Sequence, residues 1–406
     1  MIKISRPVFL TVLVSALGYF VDIYDLLLFG IVRVPSLRAL GVPDDAMLDV
    51  GTHLLNMQMS GMLIGGVLWG VTGDLRGRKS VLFGSILLYS VANIANAFVT
   101  TPEMYAWLRL AAGIGLAGEL GAAVTLVSEV MSKEHRGIGT AVIASVGILG
   151  AVAASLVGDL FDWKVAYMVG GGMGLALLAL RAGLVESGMF NAMAESEVRR
   201  GRFHQIFLSR ETLTRYLWCI LIGIPIWFTV GVLVTFSPEF SKELGVQGVI
   251  TGSKAIMWCY VGGSIGDLSA GLMSQWLQSR RRSVFFYQLL SLVGLFVYVF
   301  QSGWSERQFY TLCVVMGLST GYWSVFATIA AEQFGTNIRA TVATTVPNIV
   351  RGSVVPVTIA LAFLREPLGL IAALLTVGIG VMALAFTALY FLPETYGKDL
   401  DYFETL

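Results

Sequence analysis

The stretch Gly70-Val71-Thr72-Gly73-Asp74-Leu75-Arg76-Gly77-Arg78-Lys79 separates two long apolar runs, at about 53–73 and 80–99. Asp74, at a helix end beside the tight turn at Gly77, can accept hydrogen bonds from a neighbouring helix terminus. Arg76, Arg78 and Lys79 hold that turn at a charged headgroup layer. A merely solvated basic loop explains the cations but not the spacing of Gly73, Asp74 and Gly77. The stretch returns in altered form 203 residues later, where Gly77-Arg78-Lys79-Ser80-Val81-Leu82-Phe83 aligns with Arg280-Arg281-Arg282-Ser283-Val284-Phe285-Phe286. The same offset lays Glu129 and Arg136 on Glu332 and Arg339. Two ungapped matches at one offset predict two related halves.

Around that pair of loops the chain is apolar almost throughout. Its 406 residues are 56% hydrophobic and 13% charged, with a mean hydropathy of +0.77, against about a quarter charged in soluble proteins. Apolar segments run over about 8–32, 53–73, 80–99, 104–128, 138–160 and 164–185, then over 216–236, 251–277, 284–301, 307–332, 340–363 and 368–392. Each is sized for one crossing, which takes about 20 residues. The expected fold is therefore an all-α membrane protein of twelve transmembrane helices in two pseudo-symmetric six-helix bundles. The bundles occupy 1–185 and 216–406, the second with a short tail, and the charged segment 186–215 is the linker. The first apolar run is too long for a signal-peptide core and lacks a small-residue cleavage site, so it reads as a retained helix.

Lys and Arg in short loops stay on the cytoplasmic side. Arg76, Arg78 and Lys79, then Lys133 and Arg136, then the linker, then Arg280, Arg281 and Arg282, then Arg339 fall on alternate loops. Both termini, the linker and the tail are thus expected in the cytoplasm, with the chain in a bacterial-type inner membrane as a multi-pass monomer. A net charge of +1 argues against a nucleic-acid partner. No phosphate-binding loop or catalytic constellation appears, so neither ATP hydrolysis nor another enzyme activity is expected, and no cofactor is implied. Cys219, Cys259 and Cys313 sit singly in apolar runs and read as packing residues. His53, His135 and His204 are scattered, and Met57, Met59 and Met62 look like soft packing, so no metal site is expected.

The Gly70–Lys79 stretch resembles the signature loop of the major facilitator superfamily. Arg109-Leu110-Ala111-Ala112-Gly113-Ile114-Gly115-Leu116-Ala117-Gly118-Glu119 is similar to that superfamily's helix-four pattern. Gly118-Glu119-Leu120-Gly121-Ala122 looks like the Gly-Glu-x-Gly-Gly stretch of its metabolite:proton and aromatic-acid:proton symporters, and Leu392-Pro393-Glu394-Thr395 resembles the tail of its sugar porters. Asp22-Ile23-Tyr24-Asp25 echoes the paired acid of the symporter branches but departs from their Asp-Gly-Phe-Asp. The resemblance covers essentially the whole chain. It implies transport by alternating access through a central cavity lined chiefly by helices one, four, seven and ten. The fifth segment lacks the Gly-Pro of drug exporters, which favours proton-coupled import of a small organic metabolite, an anion in particular. The alternative is a proton-driven exporter or exchanger of drugs, siderophores or metal chelates.

Ionisable side chains in the hydrocarbon layer cost at least about 2.5–3.5 kcal/mol each on insertion scales, so those present are candidates for function. Asp22 and Asp25 share a face of helix one, and Arg109 on helix four reaches a similar depth. Two nearby carboxylates favour sharing a proton, and Arg109 opposes this. Either acid is a candidate proton carrier, Arg109 is a candidate for the substrate or the aspartates, and Glu119 for coupling. The alternative for all four is static helix packing. The second-half positions matching Asp22 and Asp25 are Pro225 and Phe228, so coupling is expected in the first half. Tyr19, Tyr24, Trp227, Phe228, Tyr322 and Trp323 are candidate cavity lining. So is Arg351, unless it is only a counter-ion for Asp267 or part of a helix end. Gly73, Asp74, Gly77, Arg78, Glu129, Arg136, Glu332 and Arg339 are the expected cytoplasmic gate.

Overall fold

The computed structural model describes residues 6–76, 78–119, 136–186, 206–207 and 209–398. Twelve helical passes cross the described residues. The first half holds passes one to six: Arg6–Ala39, Met47–Arg76, Arg78–Asn96, Pro102–Leu116, Arg136–Leu160 and Trp163–Glu186. Pass seven is composite, made of Arg210–Leu221, Ile224–Trp227 and a π-helical Phe228–Val234, and the short helix Ser237–Glu243 follows it. Passes eight and nine are Gly252–Trp276 and Arg280–Phe300. Pass ten is broken into Glu306–Thr320 and Trp323–Glu332, and pass eleven into Thr336–Gly352 and Val354–Leu368. Pass twelve is Leu370–Phe391. Passes one, six, seven, nine, ten, eleven and twelve are each long and apolar enough to cross a bilayer by length and composition alone. The molecule is apolar outside as well as in: Trp276 is 81% and Phe363 78% exposed. That arrangement suits a lipid surround rather than water.

The passes alternate in direction, so the start of pass one and the tail after pass twelve share one end, called here the terminal face. The opposite end is the distal face. Each half is knit by one tight crossing. A Cβ on Gly113 of pass four would collide with the Gln58 carbonyl of pass two, and a Cβ on Gly317 of pass ten with the Cys259 carbonyl of pass eight. Glycine lets the backbones touch where lipid offers no hydrophobic drive for helix association.

The breaks in passes seven and eleven follow prolines. Pro225 cannot donate to Leu221, and Pro356 cannot donate to Gly352, so passes seven and eleven part at Ile222–Gly223 and at Ser353. Carbonyls freed at such breaks find partners inside the protein, as they must in hydrocarbon. The Ile222 oxygen accepts from Gln288 (3.1 Å) and from the Tyr322 hydroxyl (3.0 Å). The Ala117 oxygen, at the C-cap of the segment Pro102–Leu116, accepts from Asn348 of the other half at 2.9 Å.

The halves are also joined at the distal face. Arg33 donates to both carboxylate oxygens of Glu239 at 2.7 Å and to the Thr235 carbonyl at 3.3 Å, with its cation 4.6 Å from the Phe236 ring centre. Ser155 and Ser253 exchange hydroxyl-to-carbonyl bonds of 3.2 and 3.1 Å. Arg365 meets Asp49 at 2.7 Å, and Thr358 meets Asn56 at 2.8 Å.

Candidate functional site

A cavity of about 440 Å³ lies between the halves and extends toward the terminal face as far as Glu332. Its walls come from passes one, five, seven, eight, ten and eleven, and none of the described residues of pass four reaches it. Among the described residues, passes five, eight and eleven line the cavity beside the expected passes one, seven and ten. Tyr19, Trp227, Trp323 and Arg351 line the cavity, together with Tyr260 and Asp267.

Arg351 is the last residue but one of its helical segment, directly before the break at Ser353. Its guanidinium carbon lies 5.9 Å from the Trp227 ring centre and 5.7 Å from that of Trp323. Its Nη2 is 3.8 Å from Asp22 Oδ2, and Arg351 and Asp22 are 1% and 0% exposed. That separation is an ionic contact without a formed hydrogen bond. Both Asp22 oxygens, and Nε and Nη1 of Arg351, lack hydrogen-bond partners among the described residues. Buried polar groups are nearly always paired, so this constellation holds spare donors on Arg351, which lines the cavity, and spare acceptors on Asp22 behind it. Asp267, the alternative counter-ion, is occupied elsewhere. One of its oxygens accepts the Ser324 amide at 2.9 Å and so caps the second segment of pass ten.

Asp22 and Asp25 share a helix but not an environment. Asp25 lies inside the first half with Arg109 as its opposing charge and Asn93 as its amide neighbour, without a well-formed hydrogen bond. A Cβ on Gly170 of pass six would strike the Asp25 carboxylate. Arg109 donates to Asn93 Oδ1 at 3.3 Å and sits 5.5 and 5.7 Å from the rings of Phe29 and Tyr167. The Tyr105 and Tyr167 hydroxyls, 2.5 Å apart, continue this buried network. Each aspartate thus faces its own cation, one in each half.

Glu119 is gripped by Arg181 of pass six through two bonds of 3.0 and 2.5 Å. Gly18 leaves room for that pair against pass one. Arg181 was not among the expected site residues, although it is the one cation within the apolar stretch 165–185, which already asks for a buried acid.

Three expected lining residues belong elsewhere. The Tyr24 hydroxyl donates to the Ala166 carbonyl at 3.0 Å and fastens pass one to pass six. Tyr322 serves the broken pass seven, as described, and Phe228 packs beside Gly378 of pass twelve. At the terminal face Glu332 pairs with Arg280 at 3.4 Å. Arg339 donates to the Ala331 and Phe334 carbonyls at 3.2 and 3.1 Å. Gly73 ends up in pass two. Gly77 and Glu129 lie outside the described residues, as do the side chains of Asp74, Arg78 and Arg136. Among the described residues no group of three His, Cys, Asp or Glu gathers to hold a metal.

A family model described as Major Facilitator Superfamily matches residues 8–347. A putative metabolite transport protein of Haemophilus influenzae is 26% identical, over 95% of this chain and 96% of its own length. A 3-(3-hydroxy-phenyl)propionate transporter of Escherichia coli is 28% identical, over 69% of each. Among solved structures, the E. coli xylose transporter in a partially occluded, inward-open conformation superposes with a TM-score of 0.72 at 16% identity, over 98% of this chain and 100% of that one.

Proposed function

The chain belongs to the major facilitator superfamily, and from that premise we propose that this transporter imports a small organic anion together with protons, with Arg351 as the anion anchor. The supporting observation is the buried Arg351 guanidinium, set beside Trp227 and Trp323 and only loosely engaged by Asp22. Guanidinium donors match a carboxylate, and flanking indoles suit a flat, ring-bearing acid. The aromatic acid carried by the hydroxyphenylpropionate transporter agrees with that class.

Coupling follows from charge balance in a low-dielectric cavity. Asp22 and a substrate carboxylate compete for one cation. The empty carrier, with Asp22 ionised and Arg351 charged, is balanced and can rock. The carrier with substrate on Arg351 and a proton on Asp22 is balanced as well. Substrate without the proton leaves an excess negative charge, and the proton without substrate leaves Arg351 unpaired, and both are costly away from water. Only paired loading then crosses. Asp25 with Arg109, and Glu119 with Arg181, hold pass one in the register that presents Asp22. In this reading, which the loop cations support, the terminal face is cytoplasmic, and a cavity reaching Glu332 beneath closed distal contacts is inward-facing. Within this reading the halves are 1–185 and 216–406 joined by the linker 186–215, the unit is a monomer, and Asp74, Arg78, Glu129 and Arg136 act with Glu332 and Arg339 at the cytoplasmic gate.

Proteoliposomes test it, after a thermal-shift screen of aromatic and aliphatic acids selects the probe. Wild type should accumulate the probe under an inside-alkaline pH gradient. Asp22→Asn should lose accumulation and keep counterflow. Arg351→Gln should weaken probe binding by about 1.5–3 kcal/mol, roughly ten- to a hundredfold. Full proton-driven accumulation by Asp22→Asn would transfer the coupling role to Asp25.

A further inference from the structure

Away from the transport cavity, at the terminal face, a second concavity of about 1070 Å³ opens between passes nine and twelve. Its floor is apolar, built from Phe285, Leu289, Phe386 and Leu389, and its rim carries Arg281 and Arg282. Phe285 and Leu289 are 51% and 43% exposed on a surface that faces lipid. Arg281 donates to the Leu389 and Tyr390 carbonyls at 3.1 and 2.8 Å, which fixes its plane without neutralising its charge. Arg282 is exposed, and its side chain has no ion pair or hydrogen bond among the described residues. The one carboxylate in the wall, Glu394, is turned inward. It accepts from the Ser279 hydroxyl and from the amides of Arg280 (2.9 Å), Arg281 (3.3 Å), Thr395 (2.9 Å) and Tyr396 (3.0 Å). The third arginine, Arg280, is answered by Glu332.

Two cations without an ion-pair partner among the described residues therefore stand over an apolar slot, at the level where pass nine begins and pass twelve ends. A soluble anion would use the rim and leave the slot unfilled, and a neutral lipid would use the slot and leave the rim unanswered. We propose that this concavity binds an anionic phospholipid, its phosphate on Arg281 and Arg282 and one acyl chain along Phe285, Leu289 and Phe386. Basic pockets between helices at a headgroup layer have this chemistry. A lipid seated there bridges pass nine to the last turn of pass twelve. Gln333, whose amide meets the Pro393 carbonyl at 2.7 Å, ties that same corner to pass ten. The site needs only a membrane-spanning chain and stands apart from the identity of the transported anion.

Native mass spectrometry of the full chain tests it, titrating phosphatidylglycerol and phosphatidylcholine of identical acyl chains, with glycerol phosphate as competitor. Phosphatidylglycerol should be retained preferentially. Arg282→Gln, at a side chain with no internal partner, should reduce that preference by about fivefold, the attraction of one arginine for an anionic surface. Arg282→Lys should keep the preference, and Phe285→Ala should weaken retention of both lipids. The thermal shift caused by the transported anion should be the same in all of them. Equal retention of the two lipids by wild type, or an undiminished preference in Arg282→Gln, would overturn the site. Displacement by glycerol phosphate as effective as by whole lipid would show a free-anion site instead and overturn the lipid assignment.

Discussion

Glu394 binds the start of pass nine to the tail through its carboxylate. Partial burial pushes its pKa up, but the Ser279 hydroxyl and the amides of Tyr396, Arg280 and Thr395 outweigh that and hold it below the ordinary 4.5. A carboxyl depressed in the folded state stabilises the fold above its unfolded pKa, and that contribution is lost as pH falls through the folded value. Glu394→Gln should therefore lower the Tm at pH 7, and the gap from wild type should shrink as pH drops below 4.5. A gap that persists into acid would assign Glu394 a role in shape rather than charge. Which charges meet is the part of this molecule that its sequence shows least. Asp22 and Asp25 read as one acidic face, yet positions three apart differ by roughly 60° around a helix, and that rotation sends one toward Arg351 and the other toward Arg109. Tyr24 and Tyr322 read as lining because they are aromatic and on the right passes. The Tyr24 hydroxyl instead fastens pass one to pass six, and that of Tyr322 answers a carbonyl at the break in pass seven.

Helices were legible because hydrocarbon thickness writes itself into run length, whereas their ends were not. Pass two begins at Met47 and ends at Arg76, beyond the apolar run 53–73, because Asp49, His53 and Arg76 belong to the helix without belonging to the hydrocarbon. Pass seven starts at Arg210 for the same reason, capped by the Ser209 side chain. The breaks in passes seven and eleven sit beside Pro225 and Pro356, which run length does not mark, whereas the break in pass ten has no proline and lies where Gly321 closely approaches Gly266 of pass eight. Paired glycines make the element-scale test. Gly113→Ala and Gly317→Ala each place a methyl against a backbone carbonyl that has no rotamer to yield, so each should cost about 1–3 kcal/mol. Gly172→Ala, where a Cβ meets nothing within 4 Å, is the control. Equal thermal stability of all three variants would mean the crossings relax without penalty.

On the scale of the whole molecule, two related halves were legible in two loops at one offset, and the superfamily in the Gly70–Lys79 loop and the Arg109–Glu119 pattern. Traffic between the halves was not visible, because the residues that meet across the middle have no reason to resemble each other. Arg351 comes from the half that has no acid at the Asp22 position, and Glu239, the partner of Arg33, lies on a short helix outside the apolar runs. The distal contacts make a population prediction. Glu239→Gln leaves Arg33, 0% exposed, without its counter-charge, and breaking a buried pair costs about 3–5 kcal/mol in the state that contains it. The closed distal face should lose population, seen as longer distances between spin labels at Asp45 and Glu243. An unchanged distance distribution would show that the serine pair and Arg365 suffice. Orientation is checked on the same scale: a cysteine at Asp45 should label from outside the cell and one at Arg200 should not.

Arg351 stands beside the joint in pass eleven, and the two segments it separates hold different things. The segment before the joint carries Asn348 on the Ala117 carbonyl, and the segment after it carries Thr358 and Arg365 on Asn56 and Asp49. A ligand seated on the guanidinium therefore sits where two separately anchored segments meet. Occupancy and proton coupling then become separable properties of a ligand. A flat neutral molecule, such as the amide of a probe acid, would fill the space between the indoles without bringing a charge to the arginine. It would leave the Arg351–Asp22 pair balanced as in the empty carrier, so it should compete with the cargo for the same room without drawing a proton across.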